Sequence, residues 1–134
     1  MHTLTLTRRA PLAAVTAMAL TGAVAAPVAG AAANHHKHRT VVKKVKVADD
    51  FFSPQKLTIK VGDKVKFVWA STNFNTHNVT LVKAPKGVNK RKFSSMDAST
   101  RFHFERKFTV PGKYHFLCTF HPTMMNLYLT VKKK

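Results

Sequence analysis

The sequence is poor in cysteine and in acidic residues. Its 134 residues include one cysteine, Cys118, so no disulfide can form within the chain. Asp and Glu number 5 against 23 Lys and Arg, and the net charge is +18. No carboxylate pair and no Ser-His-Asp signature stands out. The single thiol is therefore a buried core residue, a reactive group or a metal ligand.

Long apolar runs are absent except near the N-terminus. Arg8 and Arg9 precede an Ala-rich apolar segment, residues 10–29, and more small residues follow it. This order is typical of a secretory signal peptide, so we predict that residues 1–33 direct export. The sequence around the arginine pair matches a twin-arginine signal in part. The run is also long enough for an uncleaved membrane anchor.

Residues 34–40 are rich in histidine and contain no apolar anchor, which predicts a flexible N-terminus after cleavage. Cleavage after Ala32 or Ala33 would place one histidine third in the mature chain. Its imidazole, the free amine and two backbone nitrogens could then hold Cu(II) in a square-planar site. A solvated tail without metal is the alternative. The histidines of this segment are His35, His36 and His38.

Residues 41–134 predict one all-β domain with seven or eight short strands. Apolar and polar residues alternate in several runs, and turn signals such as Pro111-Gly112 separate them. No helical period is evident, and this spacing is typical of a small antiparallel sandwich. We expect residues 57–61 and 65–69 to form a hairpin-like pair. Residues 83–100 predict a long basic loop with little regular structure.

A cysteine, a histidine and a methionine lie on one predicted loop between two strands. Cys118, His121 and Met124 follow each other at three-residue intervals. Soft sulfur favours Cu(I) and imidazole accepts Cu(II), so this set suits a copper ion that must be stable in both states. A trigonal site with two histidines and one cysteine needs another imidazole, and His77 in T-H-N-V-T is the best candidate. A buried core thiol is the alternative for Cys118.

The pattern C-x-x-H-x-x-M, preceded by Y-x-F and by an upstream H-N-V, resembles the type 1 (blue) copper site of the cupredoxins. Its spacing is most similar to that of amicyanin-like and plastocyanin-like members. The resemblance covers residues 41–134. It implies a Greek-key β-sandwich that holds one type 1 copper ion, with His77, Cys118, His121 and Met124 as its ligands. It also implies that Asn78 hydrogen-bonds across to the cysteine loop.

The axial ligand has two candidates. Met124 fits the H-P-x-M spacing of the family and is our prediction. Met125 shares the parity of Leu127 and Leu129, and the resemblance implies that the axial methionine shares the inward parity of the next strand. A β-bulge after the loop would reconcile Met124 with that rule. Asn126 stands where relatives often carry glycine, which leaves the local turn open.

The resemblance implies a one-electron carrier that passes electrons through the edge of His121. The positive charge predicts a redox partner with an acidic docking surface. An anionic membrane or cell-wall surface also fits the charge. Export and the lack of a recognition motif argue against nucleic acid. We expect a monomer.

Two other functions deserve comparison with electron transfer. Copper storage, delivery or tolerance is the alternative, and a labile Cu(II) site would favour it. Copper enzymes of this fold need further copper centres, whereas this sequence offers one ligand set. We therefore expect no enzymatic activity from the chain by itself.

Overall fold

Eight strands and one short 3-10 helix form the part of the chain that the computed structural model describes, residues 39–134. The predicted signal peptide, residues 1–33, and the three histidines of the N-terminal tail lie outside the described residues. The strands are β1 Val42–Ala48, β2 Phe51–Ser53, β3 Lys56–Lys60, β4 Lys64–Trp69, β5 Thr80–Lys83, β6 His103–Lys107, β7 Gly112–Leu117 and β8 Asn126–Lys132; the 3-10 helix is Lys90–Phe93.

The strands form two four-stranded sheets, which confirms the predicted all-β class. One sheet has the order β2-β1-β4-β6 and the other the order β3-β8-β7-β5. Two of the pairs, β1 with β4 and β3 with β8, are parallel, and the others are antiparallel. The two parallel pairs were not predicted, whereas the four antiparallel pairs agree with the predicted sandwich.

The prediction that residues 57–61 and 65–69 form a hairpin-like pair is wrong. Strands β3 and β4 are consecutive, but they lie in different sheets. The buried carboxylate of Asp63 stabilises the turn between them. It accepts hydrogen bonds from the backbone N–H groups of Lys60 and Val41, both at 2.9 Å. Alternation predicts which face of a strand is buried, but it does not select the partner strand.

The core lies between the two sheets and is rich in aromatic residues. Strand β4 alternates strictly, and Val65, Phe67 and Trp69 point inward. The ring of Phe67 lies 5.6 Å from that of Phe116 on the opposite sheet, centroid to centroid. Burying a side chain of this size stabilises the fold by about 1.5–3 kcal/mol. The sheets are thus held as a firm support for the loops at their ends.

The basic loop of residues 83–100 is more closely attached than its composition predicts. Besides the 3-10 helix, it provides two serine hydroxyls that accept hydrogen bonds from strand β5 and the residue before it. Ser95 Oγ accepts from the N–H of Val79 at 2.9 Å, and Ser94 Oγ accepts from Leu81 at 3.1 Å. An isolated bridge also pairs Ala98 with His77. The loop therefore helps to fix the position of His77.

Within residues 39–134, the structure contains no helix with the length and apolar character needed to cross a membrane.

Candidate metal centre

Two neighbouring strands bring the predicted ligands to one end of the sandwich. Strands β5 and β7 are antiparallel, with Thr80 opposite Leu117. His77 comes shortly before β5, and Cys118 comes directly after β7. In an antiparallel pair, the start of one strand lies beside the end of the other, so the residues just before β5 and just after β7 lie close together. This topology therefore explains why residues 41 positions apart in the sequence are in contact.

The ligand atoms of His77, Cys118 and His121 all lie within 4.8 Å of one another. The sulfur of Cys118 is 3.9 Å from Nδ1 of His77 and 3.9 Å from Nδ1 of His121. Zinc, taken as a guide to bond lengths, binds nitrogen at about 2.0 Å and sulfur at about 2.3 Å. Three ligand atoms at these distances in a trigonal arrangement lie about 3.5 to 3.7 Å from one another. A small inward movement of the side chains would therefore allow all three to bind one metal ion.

Burial differs between the three side chains. His77 and Cys118 are completely buried, whereas the side chain of His121 is 24% exposed. A metal ion between them would lie just beneath the surface, with one imidazole edge facing solvent. Among residues 39–134 this is the one group of three or more His, Cys, Asp or Glu side chains with such geometry.

The cysteine sulfur is held by the backbone of the facing loop. The backbone N–H of Asn78 donates to Sγ of Cys118 at 3.4 Å, and the N–H of Cys118 donates to the carbonyl of Met125 at 3.1 Å. A backbone amide that points at the sulfur restricts where the side chain can lie. The sulfur is thus held in a position from which it can act as a ligand.

The side chain of Asn78 joins the two ligand loops, as the resemblance implied. Its Oδ1 accepts from the N–H of Thr119 at 2.9 Å, and its Nδ2 donates to Oγ1 of Thr119 at 2.7 Å. The same Nδ2 also donates to Asp97 at 2.8 Å. Thr119 and Asp97 were not predicted as parts of the site.

The structure favours Met125 over the predicted Met124 as the axial ligand. The side chain of Met124 is 56% exposed, whereas Met125 is completely buried. Both backbone N–H groups donate to the carbonyl of His121, so the chain turns tightly here before strand β8 begins. Met125 keeps the inward parity of Leu127 and Leu129, and the bulge that Met124 required is not needed.

Asn126 secures the loop that carries His121. Its Nδ2 donates to the carbonyls of Pro122 at 3.0 Å and Thr123 at 3.3 Å, while its Oδ1 pairs with Nε2 of His115 at 2.8 Å. His115 also stacks on Tyr128 with a ring separation of 4.5 Å. His115 does not belong to the group of potential ligands formed by His77, Cys118 and His121. The side chain of Asn126 thus supplies bonds that a glycine at this position could not.

Two aspartates that the sequence did not single out face the imidazole ligands. Nε2 of His77 donates to Oδ1 of Asp49 at 2.8 Å. The N–H of Phe74 and then the bond from His77 are the main causes that hold the pKa of Asp49 below its usual value. Oδ1 of Asp50 lies 3.6 Å from Nε2 of His121, which is an ion-pair distance rather than a hydrogen bond.

A sequence signal for these aspartates existed in the charge balance. The chain has only 5 acidic residues, and three of them, Asp49, Asp50 and Asp97, contact the ligand histidines or Asn78. The scarcity of acidic residues was therefore the available signal, although Asp49 and Asp50 match no catalytic carboxylate motif. His77, which contacts Asp49, lies 28 residues away in the sequence, so this contact could not be identified from a local pattern.

Apolar side chains are exposed on the loops around the ligands. Phe120 and Met124 flank His121 in the sequence, and Phe74 lies on the loop that leads to His77. All three are exposed, and Phe74 is 94% exposed. Large exposed apolar residues that cluster at one place often mark a surface for a partner.

Comparison with known proteins agrees with this geometry. A model of the plastocyanin/azurin family of copper-binding proteins matches residues 39–132. Amicyanin-alpha of Methylorubrum extorquens is 34% identical to the chain over 113 residues, which are 84% of this chain and 92% of that protein. The description of the family names copper, the ion that a thiolate and two imidazoles also favour.

Solved structures resemble the fold. A purple cupredoxin from Nitrosopumilus maritimus matches with a TM-score of 0.55 and 26% identity, covering 67% of this chain and 99% of its own. A copper-containing nitrite reductase from Thermus scotoductus matches with a TM-score of 0.60 and 23% identity over 72% of this chain, which spans only 24% of the reductase. At that identity, the second likeness concerns the fold alone.

Proposed function

The chain belongs to the plastocyanin/azurin family of copper-binding proteins, and we propose that it is a one-electron carrier. Residues 39–134 form a single copper site. When bound there, copper takes one electron from a donor redox protein and gives it to an acceptor, alternating between Cu(II) and Cu(I). The observation that carries this proposal is the convergence of a buried thiol and two imidazole nitrogens within 4.8 Å, with one imidazole edge exposed.

The proposed ligands are His77, Cys118 and His121 in the trigonal plane, with Met125 as the weak axial ligand. The trigonal set is supported by the distances between its ligand atoms, and the axial one by the burial of Met125. A thiolate and two imidazoles with a long axial thioether form the donor set of electron-transfer copper sites. With these four ligands bound, the ion would have no open coordination position for a substrate.

The protein scaffold supports rapid exchange of electrons because it holds the ligands in place without relying on the metal. Hydrogen bonds from Asn78 fix Thr119 and the sulfur of Cys118, and those of Asn126 fix the His121 loop. Ligands that are oriented by surrounding bonds move little when the charge of the ion changes. A small movement on each electron transfer keeps the barrier to transfer low.

The exposed edge of His121 is the proposed route for the electron. Phe120 and Met124, its exposed neighbours in the loop, would exclude water from a close contact with a partner. This arrangement favours a brief encounter in which the imidazole edge approaches the partner's redox centre. An enzyme of this fold would need a further copper centre, whereas residues 39–134 contain one group of potential ligands with metal-site geometry.

Lysines on one sheet would steer an acidic partner. Strands β1, β4 and β6 alternate, so their outward residues share one surface, which we call the lysine face. In the register, Lys64 lies opposite Lys107, and like charges opposite each other are destabilising. We propose that this cost is tolerated because the charge attracts an anionic docking surface. The lysine face consists of Lys44, Lys46, Lys64, Lys66 and Lys107.

We propose that the mature protein works outside the cytoplasm as a monomer. The support for export is the sequence of residues 1–33, with its arginine pair, apolar run and small residues. Its charge would also permit attachment to an anionic membrane or wall surface.

A copper titration of the purified protein tests the carrier proposal. Cu(II) should produce an intense blue thiolate-to-copper absorption band and the matching electron paramagnetic resonance signal. Ascorbate should bleach the band and ferricyanide should restore it. Cys118→Ser and His121→Gln should lose the band, while His103→Gln, a change at an exposed histidine on β6, should keep it.

The alternative of copper storage or delivery predicts a different result. Copper would then bind without an intense band and would depend on His35, His36 and His38. Replacement of these three histidines by glutamine separates the two cases. A colourless protein that loses its copper in that triple variant would overturn the carrier proposal.

A further inference from the structure

The turn between β1 and β2 places a carboxylate beside the outer nitrogen of each imidazole ligand. Asp49 accepts from Nε2 of His77 at 2.8 Å, and Asp50 lies 3.6 Å from Nε2 of His121. The two aspartates are adjacent in the sequence, and the register pairs Ala48 with Phe51 around them. One two-residue turn thus contacts both histidines, which come from two different loops.

The carboxylate of Asp49 is itself firmly held. It accepts hydrogen bonds from the backbone N–H groups of Phe74 at 2.9 Å and Asn75 at 3.1 Å. Both residues belong to the loop that delivers His77. Asp49 therefore cannot turn away from the imidazole without losing these two bonds, and it fixes the ring with Nδ1 facing the sulfur of Cys118.

The position of Asp50 is maintained at some conformational cost. Its φ is 67°, in the left-handed region that glycine adopts most easily. Aspartate tolerates this region better than most residues, but the turn would form more readily with glycine. A carboxylate is nevertheless present here, in a chain with 5 acidic residues and a net charge of +18.

Resting on the proposed function, we propose that Asp49 and Asp50 form a carboxylate clamp that positions both imidazole ligands and stabilises Cu(II) more than Cu(I). A carboxylate that accepts the outer N–H of a ligand imidazole fixes the tautomer and raises the basicity of the inner nitrogen. A nearby negative charge also attracts a doubly charged ion more strongly than a singly charged one. The clamp thereby lowers the reduction potential of the site.

The two aspartates should contribute unequally. Asp49 bonds directly to a completely buried imidazole, so salt screens its effect little. Asp50 has 47% of its side chain exposed and lies beyond hydrogen-bond distance, so its effect should be smaller and should fade in salt. This difference separates a clamp from a general effect of net charge.

The test uses the copper-loaded full chain and three charge-removing variants: Asp49→Asn, Asp50→Asn and the control Glu105→Gln. Glu105 pairs with Lys64 on the lysine face, and its loss changes the net charge equally. Reduction potentials are measured by redox titration at low and high salt, and Cu(I) and Cu(II) affinities by competition with chelators.

Asp49→Asn should weaken Cu(II) binding relative to Cu(I) about tenfold, the lower end of the effect of losing such a partner. A tenfold change for one electron corresponds to a potential about 59 mV higher. Asp50→Asn should raise the potential less, and only at low salt. Equal shifts in Asp49→Asn and Glu105→Gln would overturn the clamp, as would no shift in either aspartate variant.

Two further measurements keep the clamp testable if Asp49→Asn folds poorly. Asp50→Asn leaves every bond of Asp49 intact, so its salt-dependent shift can be measured alone. Nitrogen NMR of the copper-free wild type should show His77 protonated at Nε2, and a proton at Nδ1 would contradict the clamp. Failure of the carrier proposal is distinguishable, because the wild type itself would then lack the blue band.

Discussion

Asn78 and Thr119 hold the two ligand loops together through a pair of hydrogen bonds. The side-chain oxygen of Asn78 accepts from the backbone of Thr119 at 2.9 Å, and its nitrogen donates to the Thr119 hydroxyl at 2.7 Å. One of these residues follows the buried histidine ligand and the other follows the cysteine ligand. The separation between the two ligands therefore depends on this contact.

Replacement of Asn78 by alanine should loosen the site and destabilise the domain. The backbone N–H of Thr119 would lose its partner in a partly buried position, which costs about 1–3 kcal/mol. Urea unfolding of the copper-free protein measures this loss directly. Asn75→Ala is the matched control, since its side chain is exposed and its backbone bond to Asp49 is retained. Equal stability of the two variants would show that the contact contributes nothing.

The ligand trio was predictable from the sequence, but its surroundings were not. Cys118 and His121 share one loop, so their spacing alone suggests a site, and the H-N-V context pointed to His77. Asp49 bonds to His77 across 28 residues. No local pattern encodes such a contact, because it depends on how two sheets bring distant turns together.

The choice between the two methionines shows how two sequence signals can disagree. Loop spacing pointed to Met124, while the period-two parity of strand β8 pointed to Met125. The structure buries Met125 and exposes Met124. Parity was the better guide here because burial against the core constrains every residue of β8, whereas the loop can vary its turn.

The fold was predictable in its elements but less so in its pairings. Alternation located the runs 57–61 and 65–69 to within one residue of β3 and β4, since one face of each strand is buried. The assignment of β3 and β4 to one hairpin failed because alternation carries no information on the partner. Short β2, residues 51–53, could not be located in this way, because three residues are too few to show a period.

Leucine in place of Met125 should alter the copper site while preserving the fold. The two side chains have similar volumes, so the loss of stability should be below about 1.5 kcal/mol. Cu(II) would lose its fourth ligand, and the reduction potential should therefore rise. Visible absorption, electron paramagnetic resonance and redox titration measure these changes.

The matched variant Met124→Leu provides the comparison for this prediction. Its side chain is exposed, so the spectra and the potential should match the wild type, and stability should change by no more than about 0.5 kcal/mol. Should the Met124 variant alter the spectrum and the Met125 variant leave it unchanged, the axial assignment would return to Met124.

Alanine in place of Gly112 should destabilise the start of β7. Gly112 has a φ of 139°, and an added Cβ would lie 2.6 Å from Cγ of Pro85. The backbone strain costs about 1–3 kcal/mol, and the overpacking against a rigid ring costs about 1–3 kcal/mol more. Thermal unfolding should show a clear decrease in Tm, because 1 kcal/mol shifts a domain of this size by about 4–8 °C.

The variant Gly87→Ala separates the two costs expected for Gly112→Ala, the backbone strain and the contact with Pro85. Gly87 also has a positive φ, of 85°, but an added Cβ would meet nothing within 4 Å. Its cost should be limited to the backbone strain. A decrease in Tm as large as that of Gly112→Ala would mean that contact with Pro85 has no effect.

The charge of the chain should control how fast the copper-loaded protein exchanges electrons with small ions. With a net charge of +18, it should attract hexacyanoferrate, an anion, and repel hexaammineruthenium, a cation. Raising the ionic strength from 0.01 to 0.1 M shortens the screening length from about 30 to about 10 Å. Stopped-flow measurements of the blue band should therefore show the rate with the anion falling severalfold and the rate with the cation rising.

Replacement of Lys44 and Lys66 by glutamate should make both rates depend less on salt, because it removes positive charge from the lysine face without touching a ligand. Rates that are independent of salt for both ions would contradict electrostatic steering and leave apolar contact around His121 to select the partner.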